Sequence, residues 1–177
     1  MRRSAVLTIF ALLLAACADD PAPGPASGPA EPQVDQTRMG IYESLAREVV
    51  GAEKIEWKKI VIVSVLCDNA GGAEAPEGCD DELSAAEQDE LALRLDDLGA
   101  PISFVEDPTP LYDDDWMTGA PQILVLRLGT IAESGNAVEV GGSYGCGGLC
   151  GGGTTYVLEE KTGGWEVTGT TGMTWIA

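Results

Sequence analysis

The feature that most constrains the fold is a change of hydrophobic period near Pro121. Beyond this residue apolar and polar residues alternate, and Tyr156, Leu158 and Trp165 could share one face. Four strands are predicted, at residues 122–131, 137–144, 154–160 and 165–176. Because their connections are short or rich in glycine, neighbouring strands should be antiparallel and form a meander.

A helix and a buried strand are predicted upstream of this point. Ile41, Leu45 and Val49 recur at four-residue spacing, which indicates an amphipathic helix that ends near Gly51. Residues 57–66 (WKKIVIVSVL) are rich in β-branched side chains and almost entirely apolar from Ile60 onward. Such a run is typical of a strand that is buried on both faces.

A second helix is predicted at residues 85–98. Ser84 and Glu87 have the S-x-x-E spacing of a capping box, in which each side chain satisfies a backbone N–H of the first turn. Leucines from Leu91 onward continue one face, and Gly99 is a natural helix stop.

The order of these elements predicts an α+β fold. Residues 102–105 add a short strand between the second helix and the meander. We therefore expect one domain, residues 38–177, with two helices packed on an antiparallel sheet that ends in the four-stranded meander. About 140 residues suffice for one hydrophobic core.

The N-terminus has the pattern of an export signal. An apolar run of ten residues, Ala5 to Leu14, follows Arg2 and Arg3; a membrane span needs about 20. The run closes in Leu14-Ala15-Ala16-Cys17, which resembles the lipobox of bacterial lipoproteins. The resemblance implies that residues 1–16 are removed and that Cys17 becomes the lipid-carrying first residue.

The same resemblance implies a location in the cell envelope. Ala18, not aspartate, follows the cysteine, so the sorting rule of enteric lipoproteins favours the outer membrane, facing the periplasm, over the inner membrane. Residues 17–37 contain five of the ten prolines and few residues to bury. We interpret them as a tether that could extend to roughly 60 Å.

The remaining cysteines form an even set of four: Cys67, Cys79, Cys146 and Cys150. In an exported chain they are expected to form disulfides, and proximity in sequence favours Cys67 with Cys79 and Cys146 with Cys150. A four-thiolate zinc site is the alternative, although only the second pair has zinc-like spacing.

Residues 141–153 contain eight glycines in thirteen positions. They match neither G-x-x-x-x-G-K-[ST] nor G-x-G-x-x-G, so a phosphate-binding loop is not indicated. Cys146 and Cys150 are spaced too widely for a thioredoxin-like redox motif. We interpret the segment as a wide hairpin connection held by a structural disulfide.

A second resemblance involves residues 138–176. The sequence C-G-G-L-C-G-G-G, then Tyr156-Val157-Leu158, Gly164-Trp165 and Thr174-Trp175-Ile176, is similar to the C-terminal segment of a group of secreted bacterial lipoproteins of uncharacterised activity. The similarity implies a domain of exported, anchored proteins, and it supplies no catalytic residue.

The chain is strongly acidic. Its formal charge is −19, and removal of residues 1–16 leaves 8 basic and 29 acidic residues, a charge of −21. This charge excludes nucleic-acid binding. It is compatible with a cationic envelope partner, and also with a surface whose charge only keeps the protein soluble. Two surfaces are candidates for partner contact: the Glu87 to Asp97 helix face and a loop formed by Asp113, Asp114, Asp115 and Trp116.

The absence of histidine limits the possible chemistry. It excludes Ser-His-Asp and Cys-His nucleophiles and H-E-x-x-H metal sites. Residues 68–81 lack the ligand order of an EF-hand, and no cofactor is indicated. The sequence therefore favours a membrane-anchored, non-catalytic interaction or inhibitor-like module. A carboxylate-dependent hydrolase and a small-ligand or metal binder remain the alternatives.

Overall fold

The structure is a computed structural model, and it describes residues 34–52, 55–72, 77–113 and 122–177. Two α-helices and seven β-strands occur within these residues. In chain order they are α1 (Gln36–Ala52), β1 (Lys59–Cys67), β2 (Asp81–Glu82), α2 (Ala85–Arg94), β3 (Ile102–Val105), β4 (Ile123–Ser134), β5 (Ala137–Gly147), β6 (Cys150–Lys161) and β7 (Gly164–Ile176).

All seven strands join one sheet, in the order β2-β1-β4-β5-β6-β7, and β3 also pairs with β1. β1 is parallel to β3 and β4, whereas β4 to β7 are successive antiparallel neighbours. The α+β class and the meander are thus confirmed, and the sheet is mixed rather than antiparallel throughout. The parallel β1–β3 pair arises because the chain crosses over through α2 before it enters β3.

Both helices contribute to the main core, on one face of the sheet. Tyr42, Leu45 and Val49 of α1 and Leu91 of α2 are buried there with the inward-facing residues of the strands. The carboxylate of Asp35 accepts hydrogen bonds from the backbone N–H groups of the first turn of α1, which therefore starts slightly before the expected domain boundary. Among the described helices, neither is long and apolar enough to cross a bilayer.

The predicted capping box at the start of α2 is confirmed. The hydroxyl of Ser84 accepts from the N–H of Glu87 at 3.4 Å, and the carboxylate of Glu87 accepts from the N–H of Ser84 at 2.9 Å. The α-helix ends at Arg94, and a 3₁₀ turn continues to Leu98 before Gly99, whose φ is +78°. The predicted bounds thus cover a helix and a separate final turn.

A smaller cluster lies on the opposite face of the sheet. Val61, Val63 and Val125 are buried there, and Leu111 of a 3₁₀ turn (Thr109–Leu111) packs against them. The segment after β3 therefore covers the parallel part of the sheet.

The glycine-rich segment is mainly strand, and the prediction of a wide connection was wrong. β5 continues to Gly147 and β6 begins at Cys150, which pairs with it, so only two residues make the turn. A run of glycines usually weakens a strand. Here contacts on both faces of the sheet leave no room for side chains.

Two neighbouring glycines of β5 show these contacts, one on each face of the sheet. A Cβ on Gly142 would lie 3.2 Å from Cδ1 of Leu45 on the helical face. A Cβ on Gly141, on the opposite face, would lie 2.8 Å from the backbone nitrogen of Gly71. The loop after β1 thus lies directly on the sheet backbone, as only glycine permits.

The structure pairs Cys67 with Cys79 and Cys146 with Cys150, as proximity in sequence predicted. The first disulfide joins the end of β1 to the segment before β2, and so closes the loop that contains Gly71. The second joins the end of β5 to the start of β6 and closes the turn of their hairpin.

β7 is the last strand of the sheet, and its pairing with β6 is irregular. Thr168 is an extra residue between two paired positions. A second irregularity falls between Thr171 and Trp175, where Gly172 has a φ of +73°. These bulges interrupt the regular ladder along the edge.

Candidate binding groove

A groove of about 740 Å³ lies between α1 and the β6–β7 hairpin. We call it the acidic groove. Its charged and aromatic lining consists of Glu43, Arg47, Glu48 and Arg94 from the helical side and Glu160, Trp165 and Glu166 from the hairpin. Gly40 sets its width, because a Cβ there would lie 3.1 Å from Cδ1 of Trp165. The half-buried indole therefore lies close to α1.

The two arginines in this groove are already paired. Arg47 forms ion pairs with Glu43 at 3.1 Å and Asp97 at 2.9 Å. Arg94 forms ion pairs with Glu90 at 2.8 Å and Glu43 at 3.4 Å. Arg47 also donates to the carbonyl oxygen of Arg94 at 2.6 Å, which links α1 to the end of α2. Both guanidinium groups thus hold the two helices together.

Three carboxylates in the groove are left without an ion pair among the described residues: Glu48, Glu160 and Glu166. All three side chains are exposed. Lys161, at the hairpin tip, forms its ion pair with Glu159. This pairing raises the pKa of the Lys161 ammonium group, and the negative charge of Glu166 raises it further. The groove therefore has an excess of negative charge beside an aromatic ring.

Glu48 also affects the pKa of a tyrosine in β6. Burial raises the pKa of the Tyr156 hydroxyl, and the negative charge of Glu48 raises it further. Glu48 lines the groove from α1, and Glu160 and Glu166 line it from the hairpin. An approaching cation would thus meet carboxylates from both walls.

A second hollow, of about 520 Å³, adjoins the N-terminal end of α1. Thr37 and Trp165 line both this hollow and the acidic groove. The second hollow has more apolar than polar surface, to which the aliphatic side chains of Ile41, Ile131 and Val138 contribute, and charged residues line it as well. Trp165 therefore lies between the acidic groove and a hollow that is more apolar than the groove.

Of the charged groups that line the second hollow, Arg38 and Asp81 are paired, whereas Asp35 and Glu133 form no ion pair among the described residues. Arg38 forms ion pairs with Asp81 at 2.8 Å and Glu87 at 3.2 Å. The hydroxyl of Tyr42 donates to the carbonyl oxygen of Gly129 at 3.0 Å, which fixes α1 to β4. Burial raises the pKa of this hydroxyl to about 12, although the charge of Arg38 opposes the rise.

The helix face that was predicted as a contact surface has few free carboxylates. Its predicted acidic residues are Glu87, Asp89, Glu90, Asp96 and Asp97. Glu87 is buried and paired with Arg38, while Glu90 and Asp97 pair with arginines of the helix interface. Only Asp89 and Asp96 of this set are without an ion pair in the described part of the chain.

The other predicted contact is only partly described. Asp113 is exposed and follows the 3₁₀ turn that covers the outer face of the sheet. Asp114, Asp115, Trp116 and the predicted lipidation site Cys17 lie outside the described residues. The predicted role of this loop therefore stays a prediction.

Sequence reasoning missed Trp165 as part of a site. The alternation that includes Tyr156, Leu158 and Trp165 predicted only a shared strand face. The signal that was present is the sequence E-E-K-T-G-G-W-E, in which a hairpin turn brings Glu160 opposite Trp165. The contact of Trp165 with Gly40 could not be predicted from this segment, because Gly40 lies in α1.

Two carboxyls of the described residues have a shifted pKa, and both shifts are downward. The carboxyls with a shifted pKa are Asp97, lowered mainly by a hydrogen bond from Arg47, and Asp107, lowered mainly by one from Thr109. A general acid requires the opposite direction. Within residues 34–52, 55–72, 77–113 and 122–177, no three metal-ligating side chains converge.

No protein-family model matches the chain, and no curated protein or solved structure does either.

Proposed function

We propose that the protein is a lipid-anchored, non-catalytic binding module of a bacterial cell envelope, and that its acidic groove takes a basic segment of another envelope protein. The observation that carries this proposal is the unbalanced charge of the groove. Its arginines are held by Glu43, Glu90 and Asp97, whereas three other carboxylates beside Trp165 have no ion pair among the described residues.

The chemistry of the groove suits a lysine or arginine side chain. An ammonium or guanidinium group is attracted to the face of an indole and to nearby carboxylates, and each exposed ion pair contributes about 0.2–1 kcal/mol. The aliphatic stem of the same side chain can lie along the ring. A groove of about 740 Å³ has room for several such side chains.

The net charge of the chain supports the same partner. A formal charge of −19, or −21 once residues 1–16 are removed, attracts a basic protein from a distance and speeds their encounter. Between Ala18 and Thr37 the chain has four acidic residues and no basic one; the acidic residues are Asp19, Asp20, Glu31 and Asp35. We therefore expect repulsion, not binding, between this segment and the groove.

Membrane anchorage is the other half of the proposal. It rests on the lipobox-like Leu14-Ala15-Ala16-Cys17 and on the proline-rich segment that follows. A tether of this kind would let the groove search the space near the membrane.

Titration with short peptides tests the binding half. The full mature chain with Cys17→Ser, which carries no lipid, is titrated by calorimetry with a lysine-rich peptide and with a glutamate-rich peptide of equal length. We expect only the lysine peptide to bind. The double variant Glu160→Gln/Glu166→Gln should weaken this binding about three- to tenfold, since two exposed ion pairs are lost.

The matched control is Asp89→Asn/Asp96→Asn, which removes the same charge from α2. It should leave the affinity nearly unchanged. Equal losses from both double variants would mean that only net charge matters, and no binding of the lysine peptide would refute the groove as a site.

A further inference from the structure

We infer that the ligand of the acidic groove is an extended segment that carries a basic side chain and, a few residues away, an apolar side chain that enters the second hollow. The inference rests on the proposed function and names the partner's chemistry more closely. It follows from one structural relationship, which is that Trp165 and Thr37 line both compartments.

The two compartments differ in what they can bind. The acidic groove offers exposed carboxylates, including Glu160 and Glu166. The second hollow has more apolar than polar surface: the partly exposed Ile131 lies there beside the buried Ile41 and Val138. Carboxylates also line it, and its arginine is already paired with two carboxylates. A purely basic ligand would leave the apolar surface at Ile131 uncovered.

The dimensions fix the spacing of the two side chains. Thr37, at the junction, and Glu48, at the far end of the groove, are eleven positions apart on α1, which is about 16 Å along the helix axis. An extended peptide advances about 3.3 Å per residue, so it covers this distance in about five residues. The basic and apolar side chains should thus be separated by no more than about five residues.

A peptide is favoured over a small molecule by the shape of the site. Both compartments are open to solvent along their length and meet at a single aromatic side chain. An extended chain can lie across such a junction and place alternate side chains on either side of it. Charge complementarity selects a basic peptide for the groove end.

Three peptides test the inference on the full mature chain with Cys17→Ser. The first has a lysine pair followed, after four Gly/Ser residues, by leucine; the second has serine in place of the leucine. The third separates the lysine pair and the leucine by twelve prolines, a semi-rigid spacer of about 37 Å. We expect the first peptide to bind about five- to tenfold more tightly than the second, because part of a leucine side chain is buried. The third peptide should gain nothing from its leucine.

Two protein variants locate the leucine. Ile131→Thr makes the second hollow more polar and should abolish most of the leucine gain. Ile176→Thr is the matched control, because Ile176 is an isoleucine outside both compartments and is 83% exposed. Melting temperatures of both variants show whether they remain folded. Glu160→Gln/Glu166→Gln should weaken the first two peptides equally.

The outcomes separate the inference from the proposed function. A leucine gain that is lost in Ile131→Thr and kept in Ile176→Thr supports both. Lysine-dependent binding with no leucine gain, or with a gain that Ile131→Thr leaves intact, overturns the inference and leaves the proposed function standing. Failure of every peptide to bind overturns both.

Discussion

The indole Nε1 of Trp175 donates a hydrogen bond to the carbonyl oxygen of Gly71 at 3.0 Å. These residues are 104 positions apart, and the bond ties the last strand to the loop that follows the first. The loop lies on glycines of the sheet, on the face opposite the helices. Space, not local backbone preference, thus requires glycine at these positions.

Gly153→Ala should be strongly destabilising for this reason. A Cβ there would lie 2.6 Å from Nε1 of Trp175 and 2.8 Å from the carbonyl oxygen of Gly71. We expect a loss of about 2 kcal/mol or more in the free energy of unfolding. Gly169→Ala, on the neighbouring strand, has nothing within 4 Å of its Cβ and should change stability little. Urea unfolding compares the two, and equal effects would contradict the close approach.

Alkaline pH should destabilise the domain through Tyr42. The tyrosine pKa is 10.0 without the protein environment, and burial raises that of Tyr42 to about 12. Between these values the folded state retains a proton that the unfolded state has lost, so stability falls as pH rises. The fall should approach about 2–3 kcal/mol over this range.

Tyr42→Phe separates this effect from general alkaline unfolding. The variant should lose about 1 kcal/mol at pH 7, because its hydrogen bond to Gly129 is gone. It should also have a shallower decline of stability above pH 10. Urea midpoints measured from pH 8 to 11.5 give both quantities, and an unchanged alkaline slope would assign the decline to another group.

The two disulfides should differ in their contribution. Cys67–Cys79 closes a sequence separation of 12 residues and Cys146–Cys150 one of 4. On the chain-entropy account, Cys67→Ser/Cys79→Ser should cost about 3 kcal/mol and Cys146→Ser/Cys150→Ser about 2 kcal/mol. Denaturant unfolding of each pair variant measures the loss.

Reduction of the wild type should release no zinc. Stoichiometric zinc in the folded protein would show that these cysteines bind metal and are not disulfide-bonded.

Cys17→Ser should release the protein from the membrane. The predicted lipid is carried by this residue, and neither described helix is long and apolar enough to replace it. Fractionation of envelopes should recover the wild type with membranes, in the outer-membrane fraction of a double-membraned bacterium, and the variant in the soluble fraction. A variant that still sediments with membranes would refute lipid anchorage at this cysteine.

The acidic loop can be tested against the acidic groove. If the loop only keeps the protein soluble, Asp113→Asn/Asp114→Asn/Asp115→Asn should leave the affinity for a lysine-rich peptide unchanged. Association should nevertheless slow as salt rises, because charges are screened over about 8 Å at physiological ionic strength. Stopped-flow kinetics at several salt concentrations measure the rate. A larger loss of affinity from the loop variant than from Glu160→Gln/Glu166→Gln would move the site to the loop.

The fold was readable from sequence wherever its cause was local. The capping box at Ser84 and the alternation of Tyr156 and Leu158 depend on near neighbours, and both appear in the structure. The parallel pairing of β1 with β4 was not predicted, because it joins Ile60 to Leu124, and β2, α2 and β3 lie between them in the chain. The glycines of β5 and β6 were interpreted as a loop for the same reason.

The groove was harder to predict than the fold. A carboxylate is often paired with an arginine that is distant in sequence. Asp97 is paired with Arg47, and Glu43 with Arg94, and each partner lies about fifty positions away. A count of acidic residues therefore gives the net charge and not its distribution. The role of Trp165 was difficult to predict for a similar reason, because its indole lies close to α1 only since residue 40 of that helix is glycine.

The bulges of β7 affect how copies of this protein can coexist. A long, regular strand at the border of a sheet is a template on which another molecule can add a strand, and such addition propagates into fibrils. Thr168 and Gly172 break the spacing of donors and acceptors along this border. If the proposed lipid anchor confines the molecules to the plane of a membrane, they meet often, and an irregular border would protect them from aggregation. Deleting Thr168 would restore the spacing at the first of the two bulges and is expected to favour fibril formation.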